Sequence, residues 1–244
     1  MIRLCHLYPE LLNLYGEYAN LLALKRALEQ CGQTVEITPV AVGETVSLAD
    51  AALVYAGAGT ESRIAIAAEK LQPMRKELAA AAADGVPMLF TGSSAELAAR
   101  TIALPDGKTI ECLGLADCDA VRSSGRELGD VLYASKLSEK LLAGFINKSG
   151  WLKNVADPLF TAEFGPGGIV DANGEALAAE GIRTGSVTAT YAIGPILARN
   201  PWLKRLYAAD ILRRKTGSAD VSAIADDASD KGYEVTVREL LKRK

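Results

Sequence analysis

Between residues 2 and 101 the chain alternates short apolar runs with stretches of helical period, and nothing else in it constrains the fold as tightly. Residues 2–7 read as a strand. Residues 17–30 read as a helix, with apolar side chains at Leu21, Leu22, Leu24, Ala27 and Leu28 and Gly32 just past its end. Residues 34–40 and 51–56 are strand-like, the second ending in Gly57-Ala58-Gly59. One long Ala-rich helix is expected over residues 60–83, followed by Asp84-Gly85 and the apolar run 86–90. After Thr91-Gly92-Ser93-Ser94 comes a further helix, 95–101. Strands alternating with helices predict βαβ units on an open, doubly wound, mostly parallel sheet with helices on both faces.

From Pro105-Asp106-Gly107 the texture changes. Short strand-like pieces at 109–112, 116–122, 131–134, 144–146, 159–163, 168–170 and 186–191 are divided by Gly, Pro, Asn and Asp. They predict an antiparallel extension of the same sheet, with no linker long enough to part it from the first half. Residues 201–215 read as a helix with Pro201 in its first turn and Arg213, Arg214 and Lys215 in its last, as the helix dipole prefers. The expected organisation is one domain over 1–215. A polar connection with a short C-terminal helix follows over 216–244, the helix at 235–242.

Composition removes whole classes of function. Lys and Arg number 27 against 30 Asp and Glu, so there is no bulk positive charge for nucleic acid. No apolar stretch reaches the ~20 residues of a membrane helix. The opening Met1-Ile2-Arg3-Leu4-Cys5-His6 is interrupted too soon for a signal peptide, so a soluble cytoplasmic chain is expected. There is one histidine, His6, which excludes a three-histidine zinc site and leaves any Ser-His or Cys-His pair dependent on that residue. Cys5, Cys31, Cys112 and Cys118 form no CxxC pair and read as buried thiols. No metal or cofactor motif is present.

In such a sheet a ligand sits beyond the carboxyl ends of the strands. Gly57-Ala58-Gly59 follows one strand and opens a helix. Its amides suit an anion or oxyanion, or its glycines serve only a tight turn needing positive φ. Thr91-Gly92-Ser93-Ser94 occupies the place of a nucleophile elbow. Read more plainly, Ser93 or Ser94 caps the next helix.

The stretch Leu12-Asn13-Leu14-Tyr15-Gly16-Glu17-Tyr18-Ala19-Asn20 resembles the amino-terminal signature of a family, the glutaminase subunits of lipid II isoglutaminyl synthase. These belong to the cobyric acid synthase-like branch of class I glutamine amidotransferases. Residues 84–87 leading to 105–107, 111–115, 125–130 and 144–147 are similar in order and spacing. Gly185-Ser186-Val187-Thr188-Ala189-Thr190-Tyr191 and Gly194-Pro195-Ile196-Leu197-Ala198-Arg199-Asn200-Pro201 are the most specific match. The resemblance covers about residues 3–215. It implies a flavodoxin-like amidotransferase fold, a glutamine site, and a Mur-ligase-like ATP-dependent partner, in a possible heterodimer, that uses the ammonia to amidate the peptidoglycan precursor.

The sequence departs from that family where its chemistry sits. The cysteine nucleophile falls at Gly92, with Ser93 and Ser94 as the nearest hydroxyls. The catalytic histidine falls at Ile193, and a further family histidine at Lys148. Arg126 matches an arginine near the family's glutamine site. Intrinsic glutaminase activity is therefore expected to be absent. Three uses of such a chain follow. It is a binding or structural subunit; or an enzyme of altered chemistry, with Ser93 or Ser94 as nucleophile and Lys148 or Arg126 assisting; or a cobyric acid synthase-like amidotransferase or ligand sensor. Gly57, Ala58, Gly59, Ser93 and Arg126 are expected to converge in an electropositive concavity that takes a glutamine-like molecule or an anion.

Overall fold

The structure, a computed structural model, describes all of residues 1–244. Its first half runs β1 (Ile2–Leu7), α1 (Ala19–Gln30), β2 (Val35–Val40), β3 (Ala51–Ala56), α2 (Glu61–Leu71), α3 (Arg75–Ala83), β4 (Met88–Thr91) and α4 (Ala95–Ala98). Then come β5 (Thr101–Ala103), β6 (Thr109–Glu111), β7 (Asp119–Ser135), β8 (Ser138–Lys153), β9 (Pro158–Phe164), β10 (Ile169–Val170), β11 (Ala176–Leu177), β12 (Ala179–Thr184) and β13 (Val187–Thr190). Helices α5 (Ile196–Arg199), α6 (Pro201–Thr216) and α7 (Asp227–Leu241) close the chain.

Thirteen strands form one sheet in the order β11-β10-β8-β7-β9-β12-β13-β4-β3-β1-β2, with β5 and β6 branching from β7. The section β13-β4-β3-β1-β2 is parallel throughout. Its inner strands β3, β4 and β13 are buried at every residue, which is why 51–56 and 88–90 read as apolar runs, while Thr188 and Thr190 interrupt the pattern in β13. Antiparallel β12, β9, β7 and β8 extend it from β13. The helices form two separate groups, α1 with α5 and α6, and α2 with α4. The fold is thus the expected α/β sheet with its antiparallel extension.

Several local expectations need correction. The helix over 60–83 is two helices, because Pro73 cannot continue the hydrogen-bond ladder and a 3-10 turn at Gln72–Met74 replaces it. The helix at 95–101 stops at Ala98, and Thr101 already begins β5. The pieces at 116–122, 131–134 and 144–146 belong to one long hairpin, β7–β8. The last helix begins at Asp227, eight residues before the point that apolar periodicity suggests. It lies on the hairpin: Leu240 packs with Leu132 and Ala143, and the Tyr233 hydroxyl donates to the Leu141 carbonyl at 2.8 Å.

The hairpin matters for the site. Its register jumps between Arg122, opposite Gly150, and Glu127, opposite Lys148, so residues 123–126 bulge out and carry Arg126 with them. Farther along, Phe145 exchanges two backbone hydrogen bonds with Ile193, at 2.8 and 3.2 Å, fixing the segment after β13 against β8.

Candidate functional site

Beyond the carboxyl end of β4 the chain turns at Gly92 with φ +63°, a conformation in which an L side chain is strained. A Cβ at this position would stand 2.7 Å from Ile193 Cγ2 and 2.7 Å from Ala58 Cβ. The elbow therefore keeps its backbone, while its side-chain space is filled by a neighbouring isoleucine. Gly57 and Gly59 are not in the left-handed region, contrary to the turn-glycine expectation. They are small because the Leu12 and Leu11 carbonyls would lie 2.6 and 2.8 Å from a Cβ there.

Both candidate serine hydroxyls are occupied by backbone. Ser93 Oγ donates to the Gly59 carbonyl at 2.6 Å and accepts from the Gly59 amide at 2.9 Å. Ser94 Oγ reaches the Ala56 and Thr91 carbonyls at 2.7 and 2.9 Å. Neither side chain caps α4, as the capping alternative required; they tie the two strand ends together instead. The Gly59 amide is likewise unavailable to an anion. His6 lies elsewhere, 2% exposed between Tyr18 and Tyr55, with burial pushing its pKa down to about 4. Burial pushes the thiols of Cys112 and Cys118 up to about 12.

Sequence reasoning missed Glu17. It is fully buried just before α1, and its carboxylate joins the chain beside residue 92 to the chain beside residue 193. Oε1 accepts from the Gly194 amide at 3.0 Å, next to Ile193. Oε2 accepts from Thr91 Oγ1, next to Gly92, and from Tyr55 and Asn20 at 3.1 and 3.2 Å. Burial raises its pKa, and these donors hold it down in part. In a nucleophile–base–orienter unit, a carboxylate so placed is the orienter. Here its contacts are the Gly194 amide beside Ile193 and the Thr91 hydroxyl beside Gly92. No local signal reveals this, because one Glu in Tyr-Gly-Glu-Tyr reads as solvated.

A cavity of about 220 Å³ opens in front of the turn. Ala58, Gly59, Gly92, Ser93, Arg126, Lys148 and Ile193 all line it; Gly57 and Ser94 do not. Its rim is a chain of polar contacts. Arg126 pairs with Glu61 and donates to Asn147 Oδ1 at 2.8 Å. Asn147 Nδ2 in turn donates to the Tyr15 hydroxyl at 3.0 Å, and Ser149 Oγ to Glu61 at 2.8 Å. Partial burial pushes the Glu61 carboxyl up, but its own helix-start amide, Ser149 and Arg126 outweigh that and bring it below the usual range. Lys148 is 3% exposed, 2.7 Å from Glu127 and 3.9 Å above the centre of the Trp151 ring. Burial lowers its pKa and Glu127 opposes the shift. Deeper in, Arg122 pairs with Glu96 at 2.7 Å. The concavity is thus not electropositive, since each cation in its wall already meets a carboxylate.

No group of three or more His, Cys, Asp and Glu is arranged to hold a metal ion, and no helix is long and apolar enough to cross a membrane.

Residues 3–201 match the CobB/CobQ-like glutamine amidotransferase domain family. The chain is 26% identical over 195 residues to the GatD subunit of the glutamine-hydrolyzing lipid II isoglutaminyl synthase of Staphylococcus aureus, covering 80% of this chain and 78% of that one. To the GatD subunit of Streptococcus pneumoniae it is 28% identical over 221 residues, covering 88% and 82%. Among solved structures, a glutamine amidotransferase crystal structure shares the fold with TM-score 0.58 at 15% identity, over 85% of this chain and 98% of that one. PurLQS from Thermotoga maritima does so with TM-score 0.54 at 15% identity, over 87% and 96%.

Proposed function

The chain belongs to the CobB/CobQ-like glutamine amidotransferase family, and from that membership together with the residues at 92 and 193 we infer a catalytically silent relative of the glutaminase subunits that serve lipid II amidation. Residues 1–215 are the amidotransferase-like domain and 216–244 its appendage. It acts as a binding or structural subunit for a Mur-ligase-like ATP-dependent enzyme, which takes its nitrogen from free ammonia or from another source.

The observation that carries this reading is the contact of Gly92 with Ile193. Hydrolysing the glutamine amide needs a thiolate to attack and a base to move the proton. The two positions hold a hydrogen atom and a methyl-bearing side chain, packed so closely that a Cβ at 92 would meet Ile193 Cγ2 at 2.7 Å. Losing one member of such a unit costs roughly three to six powers of ten in rate, and losing both costs about as much. A serine enzyme is disfavoured by the same geometry: both hydroxyls are bound to carbonyls, and the one imidazole is buried between two tyrosines. A ligand-binding role is compatible with this subunit reading, because the cavity and its polar rim persist.

The test has two arms. Purified chain incubated with glutamine is expected to release no ammonia above background. In the double variant Gly92→Cys/Ile193→His, with Glu17 still in place beneath both positions, measurable release is expected. In the second arm, co-expression with a Mur-ligase-like protein of the same organism is expected to yield a stable complex. Turnover by the unmodified chain, or failure to form any such complex, overturns the reading.

A further inference from the structure

At the opposite end of the parallel strands, where β4 and β13 begin, a second cavity of about 120 Å³ opens. Three guanidiniums wall it: Arg183 near the end of β12, and Arg213 and Arg214 in the last turn of α6. Asp210 is the one carboxylate among its lining residues. It accepts from Arg213 at 2.7 Å and stands 3.9 Å from Arg183. Arg214 donates to the Asp84 carbonyl at 2.8 Å, and Arg183 Nε to the Gly185 carbonyl at 3.3 Å. A guanidinium carries five N–H donors, so most of those around the cavity lack a protein acceptor.

The helix dipole accounts for basic residues at the end of α6. It does not account for Arg183, which comes from a strand, nor for the way that Arg214 is seated. Gly85, at φ +76°, lies under that side chain, and a Cβ there would stand 2.9 Å from Arg214 Nη1. The floor is Thr188 and Tyr207, each 5% exposed. Burial pushes the Tyr207 phenol up to about 12, so at neutral pH it keeps its proton to donate. Three like charges around one carboxylate repel one another, and an added dianion relieves that repulsion.

We propose that this cavity binds a small soluble phosphate-bearing anion, gripped by Arg183, Arg213 and Arg214 with the Tyr207 hydroxyl donating from the floor. Planar guanidinium forks match phosphate oxygens in pairs, which makes phosphate a better fit than a monovalent halide. The site is independent of the glutamine-type cavity at the other end of the sheet and of its proposed role.

The test is calorimetric titration of the full chain with inorganic phosphate at low, constant ionic strength, with chloride as the matched control. Saturable binding to phosphate and not to chloride is expected, with a higher unfolding midpoint in phosphate. Arg183→Ala/Arg213→Ala is expected to weaken binding at least about tenfold. Arg238→Ala/Lys242→Ala removes the same charge from α7 and is expected to leave binding unchanged. Unfolding midpoints in chloride check that each variant is folded. Equal response to phosphate and chloride, equal weakening by the α7 pair, or undiminished binding in Arg183→Ala/Arg213→Ala overturns the proposal.

Discussion

The two halves of the sheet contribute to the cavity in different ways. The parallel half supplies the turns at 57–59 and 92–94 and the carboxylates of Glu61 and Glu96. Its inner strands β3, β4 and β13 are sealed from water, and the buried polar side chains Glu17, Asn20, Tyr55 and Thr91 bond to one another rather than facing the cavity. The hairpin supplies the cations: Arg126 and Lys148, with the uncharged Asn147 and Ser149, reach the cavity from β7 and β8 and face Glu61 of α2 and Glu96 of α4. The elbow is held by Glu17 and the two serines, and the rim by ion pairs, so the side chains at 92 and 193 do not carry the frame. Chemistry and frame are separable here because they rest on different atoms.

The strongest way to break that comparison is to remove the central carboxylate. Glu17→Ala leaves the Gly194 amide and the Asn20, Tyr55 and Thr91 donors around an empty space. Some hydroxyls can turn to each other, as Tyr55 already does toward Thr91 at 2.9 Å. The Gly194 amide has no such freedom. A loss of about 3–5 kcal/mol is expected in denaturant unfolding. Glu17→Gln, which keeps an acceptor, should recover much of it. A loss below about 1 kcal/mol for Glu17→Ala would mean that the elbow is held by something else.

Two buried titratable groups sharpen the contrast with opposite signs. His6, on β1 in the parallel half, has its pKa lowered from 6.5 to about 4, chiefly by burial. The unfolded chain takes up that proton first, so its contribution is intact above pH 6.5 and lost as pH falls toward 4. Glu180, on β12 in the extension, has its pKa raised from 4.5 to about 7 by burial, against donors from Thr190 and Tyr191. The unfolded chain releases that proton first, so stability is lost as pH rises from 4.5 to 7. Each term is worth about 3 kcal/mol across its window. Unfolding curves for His6→Phe and Glu180→Gln, compared with the unmodified chain at pH 4.5 and 7, should diverge in opposite directions. Parallel curves would show that neither group is buried as described.

The sequence exposes one half of the sheet far better than the other, for a physical reason. Strands sealed on both faces must be apolar throughout, so 51–56 is legible as written. Long β7 and β8 are interrupted by glycines that read as turns. Gly150 in fact lies against Glu96, where a side chain would collide. A glycine that makes room for a distant neighbour looks, from its own sequence, like one that makes a bend. The cavity was legible only as far as local motifs reach. The turn at 92 and the arginine at 126 lie in recognisable segments. The partners that neutralise Arg126 and Lys148, and the fact that Glu17 holds the elbow, come from long-range packing.

The smallest effect tests the rim. Arg126 and Glu61 are 43% and 39% exposed, so their ion pair lies in high dielectric and water competes for both groups. Glu61 also keeps Ser149 as a donor when the arginine is gone. Arg126→Ala is therefore expected to change unfolding free energy by no more than about 0.5 kcal/mol. Its effect on binding is larger. A glutamine-like ligand entering the cavity would set its carboxylate on this guanidinium, a charge-assisted contact worth roughly 1.5–3 kcal/mol. Titration with glutamine, followed by chemical shifts of the residues around the cavity, should show weak saturable binding that falls about ten- to a hundredfold in Arg126→Ala. Loss of binding with unchanged stability makes the hairpin a rim carried by an independent frame. A stability loss as large as that of Glu17→Ala would instead make Arg126 part of the frame, and the separation of the two halves would fail at the residue where they meet.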